Sequence, residues 1–432
     1  MSFQQGLSGL NAASKFLDSI GNNVSNSNTV GFKASTTQFS DVFANSLTGA
    51  GGLQVGIGTK VANIAQQFTQ GNITSTNNPL DVAINGKGFF RMSDAGTVVY
   101  ARNGQFQLDK NGYIVNGNGL RVTGYAANAA GVIVPGTPVD IQVSSSDLAP
   151  NKTGLAGVKV NLDSGQPIIT LANPAGANWY SNPSNYNSST SLSIYDSLGN
   201  PQTYTMYFVK TAANTWDVWA TMTPIGSTVP MDLTNNGASA SKLTTLTFNT
   251  SGTLTSASTA VPEYINGIPA AYVPVGTNQL GTGAADMTFN IDFTGTSQFG
   301  SAFSVNALTQ DGYTSGRLTG FSIGDDGVVK GRYTNGKSLS LGQVVLANFT
   351  NPQGLQPLGN NAWAETSVSG APLVGAPNTS SLGVLQSSAV EDSNVDLTGE
   401  LVNMITAQRA YQANAQTIKT QDAIQQTLIN LR

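Results

Sequence analysis

Two stretches at opposite ends of the chain each carry an apolar stripe that nothing nearby in the sequence can cover. In residues 3–24, Phe3, Leu7, Leu10, Ser14, Leu17, Gly21 and Val24 recur at alternating four- and three-residue steps. Ala13 and Ile20 widen the stripe, while Gln4, Ser8, Asn11, Lys15, Asp18 and Asn22 fall on another face. Such spacing makes an amphipathic helix with a seam narrow enough for a coiled coil. It should end near Gly21-Asn22-Asn23. A second helix is predicted from about Leu397 to Leu431, with Asp396 as its cap. Leu401, Met404, Ile405, Tyr411, Ala415, Ile418, Leu428 and Ile429 line one side, interrupted by Gln408, Asp422 and Gln425. That helix is about 50 Å long at ~1.5 Å per residue. Cover for the two stripes comes either from each other, closing a monomer core, or from each other and further copies of the chain. The pattern alone leaves both open.

Everything between the ends reads as β. Short apolar runs alternate with turn signals in residues 80–125: Val82 and Ile84, Phe89-Phe90, Val98-Val99-Tyr100, Phe106 and Leu108, Tyr113-Ile114-Val115. Asn103-Gly104 and Asn111-Gly112 have the composition of hairpin turns. Residues 190–255 and 318–349 repeat the style. Three stretches look like linkers: Gly-rich 45–60, polar 144–156, and Ser/Gly/Pro-rich 364–393. If the two helices meet, the chain is nested. The expected organisation is a terminal helical domain from 1–44 with 394–432, linker or hinge segments at 45–70 with 364–393, a first β domain from 71–147 with 303–363, and an inserted outer β domain at 148–302. The fold class is therefore α at both termini with coiled-coil-like helices, and mainly β in the middle.

Composition narrows the function. Only 10% of the 432 residues are charged, against about 25% in ordinary soluble domains. Net charge is −4 with no basic block, which disfavours nucleic acid and an anionic membrane surface as partners. There is no cysteine and no histidine. Disulfides, thiolate nucleophiles, the usual zinc ligands and the commonest general base are all missing. No cofactor, metal or catalytic cluster is expected. Gly331-Arg-Tyr-Thr-Asn-Gly336-Lys337-Ser338 has the spacing of a phosphate-binding loop. That loop needs a helix after it to supply amide N–H groups; strand-like Leu339-Ser-Leu341 follows instead, so a hairpin turn is the better reading. Asp325-Asp326-Gly327 reads as a turn, and Trp216, Trp219 and Trp363 as core or interface packing. The N-terminal stretch lacks the basic and apolar regions of a cleaved secretion signal. No stretch approaches the ~18 apolar residues of a membrane span.

Longer motifs now carry weight. Ser2-Phe3-Gln4-Gln5-Gly6-Leu7-Ser8-Gly9-Leu10-Asn11-Ala12-Ala13 resembles the opening of the flagellar rod and hook axial protein family. The stretch Ile20 to Lys33 is similar to that family's Asn-rich signature, carried by Asn22, Asn23, Asn26 and the closing Gly31-Phe32-Lys33. Residues 393–415 resemble its C-terminal helix, and Leu80-Asp81-Val82-Ala83-Ile84, Gly88-Phe89-Phe90 and Arg102-Asn103-Gly104-Gln105-Phe106 its first β domain. The inserted domain of about 150 residues favours the hook branch over the shorter rod proteins; a distal rod or hook-filament junction protein is the alternative within the family. The resemblance implies a helical homopolymer: a hollow, flexible, curved tube that joins rod to filament and passes on motor torque as a universal joint. It implies self-association through Phe3, Leu7, Leu10, Leu17, Ile20, Val24, Leu401, Met404, Ile405, Tyr411, Ala415, Ile418 and Leu428. It also implies rod, hook cap and hook-filament junction proteins as partners, and passage through the flagellar type III export apparatus. From another class, a secreted carbohydrate-binding or adhesive β protein would explain the Asn/Thr-rich middle but not the two amphipathic ends. Isolated helices of about 20 residues are marginal in water, so both ends are expected to be largely disordered before assembly.

Overall fold

The computed structural model describes residues 2–42, 56–144, 146–170, 179–223, 231–232, 242–259, 262–265, 268–274, 284–285 and 288–430. Both terminal stripes are helices: α1, Ser2–Ser25, and α2, Leu397–Asn430. Asp396 caps α2 as expected, its Oδ1 accepting from Thr398 N at 3.1 Å. Helix α1 runs through Gly21-Asn22-Asn23 to Ser25, because the side chains of Asn23 and Ser19 bond the chain that returns beside it, at Ser35.

The chain divides into two units, one built from Met1–Ser145, Thr319–Arg332 and Ser338–Arg432, the other from Ser146–Leu318 and Tyr333–Lys337. In the first, α1 is followed by an antiparallel ribbon of β1, Ser35–Val42, and β2, Gly58–Gln66. Residues expected to belong wholly to a helical domain, 35–42, are thus strand. An isolated two-stranded ribbon is marginal; this one lies on α1, with Phe39 edge-on to Phe16 at 5.9 Å. The expected hinge at 45–60 falls largely outside the described residues, and β2 takes up its end.

The β body of this unit is a 13-stranded sheet. Its central strands are Arg121–Ala126, Phe89–Asp94 and Thr97–Ala101. Phe89, Tyr100, Ala347, Phe349, Leu355 and Trp363 form one buried cluster in it. Asn111-Gly112 does turn a hairpin between Phe106–Leu108 and Ile114–Asn116, with Gly112 at φ +82°. Asn103-Gly104 does not. The strands on either side of it pair elsewhere, and Gly104 is there because a Cβ would sit 1.7 Å from Val82 O. The phosphate-loop look-alike is the hairpin between Val328–Tyr333 and Ser338–Val344, with Gly336 at φ +76°.

Residues 364–393, expected to be a hinge, contain strands. Leu373–Gly375 pairs with Leu346–Asn348, Val384–Ser387 with Val82–Asn85, and Ala389–Glu391 with Ile73–Ser75. These strands are too short to show a period of two, and turn residues outnumber them. The stretch is stitched into the body of the unit.

The second unit has two six-stranded sheets. One runs through Ser188–Tyr195, Pro201–Ala212, Thr215–Thr223 and Lys242–Phe248; the other is centred on Leu155–Asp163. Val158, Val160, Phe289 and Ile291 from one sheet share a core with Tyr204, Phe208, Trp216 and Leu246 from the other. The insertion extends past the expected 302, because Ser304–Gln310 pairs with Leu155–Asp163. In this core the Tyr204 hydroxyl is buried without a hydrogen-bond partner, and burial pushes its ionisation above the ordinary tyrosine range. Below its unfolded pKa of about 10 the hydroxyl is neutral in both states and its titration contributes nothing; above it the unfolded chain ionises and the folded one does not, so stability falls as pH rises. Tyr204→Phe should therefore retain or raise the urea midpoint at neutral pH, by up to about 1 kcal/mol, and flatten the loss of stability above pH ~10. A large drop at neutral pH would show that the hydroxyl has a partner.

Candidate assembly interface at the chain ends

Helices α1 and α2 run antiparallel. Gly6 faces Ile418, Gly9 faces Asn414, and Asn23 Nδ2 donates to Glu400 Oε1 at 2.9 Å. Small residues permit the approach: a Cβ on Gly9 would lie 2.6 Å from Asn414 Oδ1. The pairing is incomplete. A cavity of about 350 Å³ remains between the helices and the ribbon, lined by Gly9, Ala12, Ala13, Phe16, Ala407 and Ala410 among others.

The stripe residues divide accordingly. Ile20 is fully buried, and Leu10, Leu17, Val24, Met404, Ala415 and Ile418 are half-buried. Phe3, Leu7, Leu401, Ile405 and Tyr411 are exposed, as are Leu397, Val402, Ile424 and Ile429. The Leu428 side chain lies outside the described residues. Most of the large apolar side chains of α2 therefore face away from the subunit that carries them.

Where the helices join the β body, the family motif does its work. Asn22 is exposed and Asn26 half-buried; Asn23, Gly31, Phe32 and Lys33 are buried. Asn23 bridges three groups: its Oδ1 accepts from Ser35 N at 2.9 Å and its Nδ2 donates to Ser35 O at 2.8 Å and to Glu400. Gly31 sits at φ +70°, where a Cβ would lie 2.7 Å from Asn103 N, and its N–H donates to Glu391 O at 2.8 Å. Lys33 Nζ donates to Glu391 Oε1 at 2.6 Å and Thr69 O at 2.8 Å. On the other side of the carboxylate, Arg102 Nη1 donates to Oε2 at 3.0 Å. Gly71 N donates to Oε1 at 3.0 Å. Asn394 repeats the bridging, accepting from Ala34 N and donating to Gln67 O and Thr69 O. Burial holds both the Lys33 ammonium and the Arg102 guanidinium below their ordinary values, against the pull of Glu391.

Glu391 was not singled out by sequence, and Arg102, Asn394 and Glu400 entered only within stretches that resemble the family, with no role assigned. Glu391 had one signal: an acid at the end of the apolar run Ala389-Val390 in a chain with few charges.

Four family models match the chain in series. That for the flagella basal body rod protein matches residues 3–33, and that for the flagellar hook protein FlgE/F/G D1 domain residues 83–147. The flagellar basal body protein FlaE D2 domain matches residues 161–313, and the flagellar basal body rod FlgEFG protein C-terminal model residues 386–431. Paired terminal helices around a β body with an inserted β unit thus define a flagellar axial protein of the rod and hook class. Flagellar hook protein FlgE of Escherichia coli K12 is 43% identical over 100% of both chains, and that of Salmonella typhimurium LT2 42% over 100% of both. FlgE of Borreliella burgdorferi is 34% identical over 100% of this chain and 99% of its own. This chain belongs to the flagellar hook protein FlgE family. In fold it is similar to the crystal structure of Helicobacter pylori flagellar hook protein FlgE2, with a TM-score of 0.54 at 13% identity over 74% of this chain and 100% of that one.

Asn23→Leu is close in size but removes the partner of the Ser35 N–H and of the Glu400 carboxylate, while Ser35 O keeps the Ser19 hydroxyl. The expected cost is about 1–3 kcal/mol, read as a lower thermal midpoint of the full chain. An unchanged midpoint would mean that water replaces Asn23 at no cost.

Proposed function

We propose that this chain polymerises through α1 and α2 into the flexible, curved tube that joins flagellar rod to filament and transmits motor torque. As a member of the hook protein family it is a structural subunit of the flagellar hook, and that family is a structural one. One observation carries the polymer: α2 leaves Leu401, Val402, Ile405, Tyr411 and Ile424 open to solvent after pairing with α1. Burying a Leu or Ile stabilises by roughly 1.5–3 kcal/mol, so copies brought together gain association energy that the single subunit cannot. Identical contacts that do not close on themselves generate a helical polymer. The terminal helices then line the tube.

The wider reading follows from the same assignment. Partners are further copies of the chain, the rod, the hook cap and the hook-filament junction proteins. The route out of the cell is the flagellar type III export apparatus, and no catalytic step belongs to the function.

Removing residues 2–25 and 397–432 tests this against a saccharide-binding β protein. The truncated chain should stay soluble and folded, and should form no tubes by electron microscopy under conditions where the full chain does. Tubes from the truncated chain would place the polymer contacts elsewhere. Retained binding on a glycan array, with no polymer from either chain, would favour the rival.

A further inference from the structure

Two cations and one carboxylate share a single buried site, and the surplus charge belongs to the segment that follows α1. Glu391 is complete without it. Its Oε2 holds Arg102, and its Oε1 already receives Gly71 N. One anion, one cation and a main-chain donor make a balanced set inside the β body. Lys33 then brings a second cation with no solvent access at all. Its other acceptor, Thr69 O, also receives Asn394 Nδ2 at 3.2 Å. Deleting the ammonium would therefore strand neither acceptor.

Whether such a charge helps or hinders depends on desolvation against attraction. Replacing a buried ion pair or triad by apolar side chains of similar volume is often neutral or stabilising, and removing one partner is costly because the other charge is left uncompensated; here Glu391 would still be compensated by Arg102. Burial, the largest influence on Lys33, disfavours its charged form, and Arg102 adds repulsion against the attraction of Glu391. The Arg102 Nε–H is buried without a hydrogen-bond partner, so the site has no acceptor to spare.

We propose that Lys33 is a charge brake on docking of the N-terminal segment: its methylenes and the Gly31–Glu391 hydrogen bond favour the docked state, and its ammonium holds that state close to balance. The segment carrying α1 then docks reversibly, and the apolar faces are completed in the growing tube in preference to the free subunit. The polymer part of this inference rests on the hook reading above; the docking part does not.

The test compares full-length Lys33→Met and Lys33→Arg with the unaltered chain. Amide exchange over residues 2–33 is measured in dilute subunit, together with the concentration at which tubes appear. Lys33→Met should slow that exchange by about tenfold, the low end of the gain seen when buried ionic groups whose charges are not left uncompensated are replaced by apolar ones. It should also lower the concentration at which tubes appear. Lys33→Arg, which keeps the charge, should give neither gain. Unchanged or faster exchange in Lys33→Met overturns the brake, and so does a gain in Lys33→Arg equal to that in Lys33→Met. If exchange responds as expected while no variant forms tubes, the brake stands and the hook reading fails. If tubes form and exchange does not respond, the hook reading stands and the brake fails.

Discussion

The Glu391 carboxylate is the point on which the first unit depends. Its main-chain oxygen takes Gly31, its side-chain oxygens take Lys33, Gly71 and Arg102, and six residues further on α2 begins. Three stretches of chain that are far from it in sequence converge on one residue. A buried ion pair is weak support for stability, because desolvating the ions offsets much of their attraction. Its value lies in what it forbids. A docked register that failed to bring Lys33 and Arg102 to this carboxylate would leave buried charges unpaired, at a cost of several kcal/mol. Asn23 and Asn394 add to this selectivity, since Asn23 accepts from Ser35 N and Asn394 from Ala34 N. The two ends of the chain are therefore brought together in one register by polar groups, and hydrophobic burial completes only part of the contact.

That division of labour accounts for the helices. Had α1 and α2 covered each other fully, the subunit would be finished as a monomer. They meet instead along a line of small residues, Gly6, Gly9 and Ala13 against Ala407, Asn414 and Ile418, with larger apolar side chains pointing away on α2. Short side chains at the contact give close approach but little buried area. A helix pair of this kind is weak alone and gains most of its stability from whatever is added to its open face.

The helices and most strands were legible because their signals are periodic and local. Leu7, Leu10, Leu17 and Leu401, Met404, Ile405 announce helices wherever they occur, and Asp396 marks a helix start by its chemistry alone. What periodicity could not tell was which face of α2 meets α1, since both faces carry apolar residues. The strands at 373–375, 384–387 and 389–391 were hidden for a different reason. At three or four residues they are held by their partners and not by their own propensity. Asn103-Gly104 misled because a dipeptide favoured in hairpin turns is equally favoured where backbone must pass close to backbone, here against Val82 O. Lys33 entered the reading only as part of a resemblance. Its partner lies 358 residues away, and no local pattern joins a lysine to a glutamate across that distance.

Where the chain spends its few charges bears on how a hook bends. Among the described residues, the ion pairs buried from solvent are Lys33–Glu391 and Arg102–Glu391. Others, such as Lys15–Asp18 and Arg317–Asp147, are open to water and contribute little. Directional electrostatics is thus concentrated inside one unit of the subunit, where it fixes register. The surface, rich in Asn, Ser and Thr, offers hydrogen bonds that water can replace at small net cost. Subunits in a curved tube must shift against each other at every turn of the motor. Strong surface ion pairs would favour one neighbour arrangement over the rest by several kcal/mol where desolvated. A weakly charged exterior leaves the neighbouring arrangements close in energy.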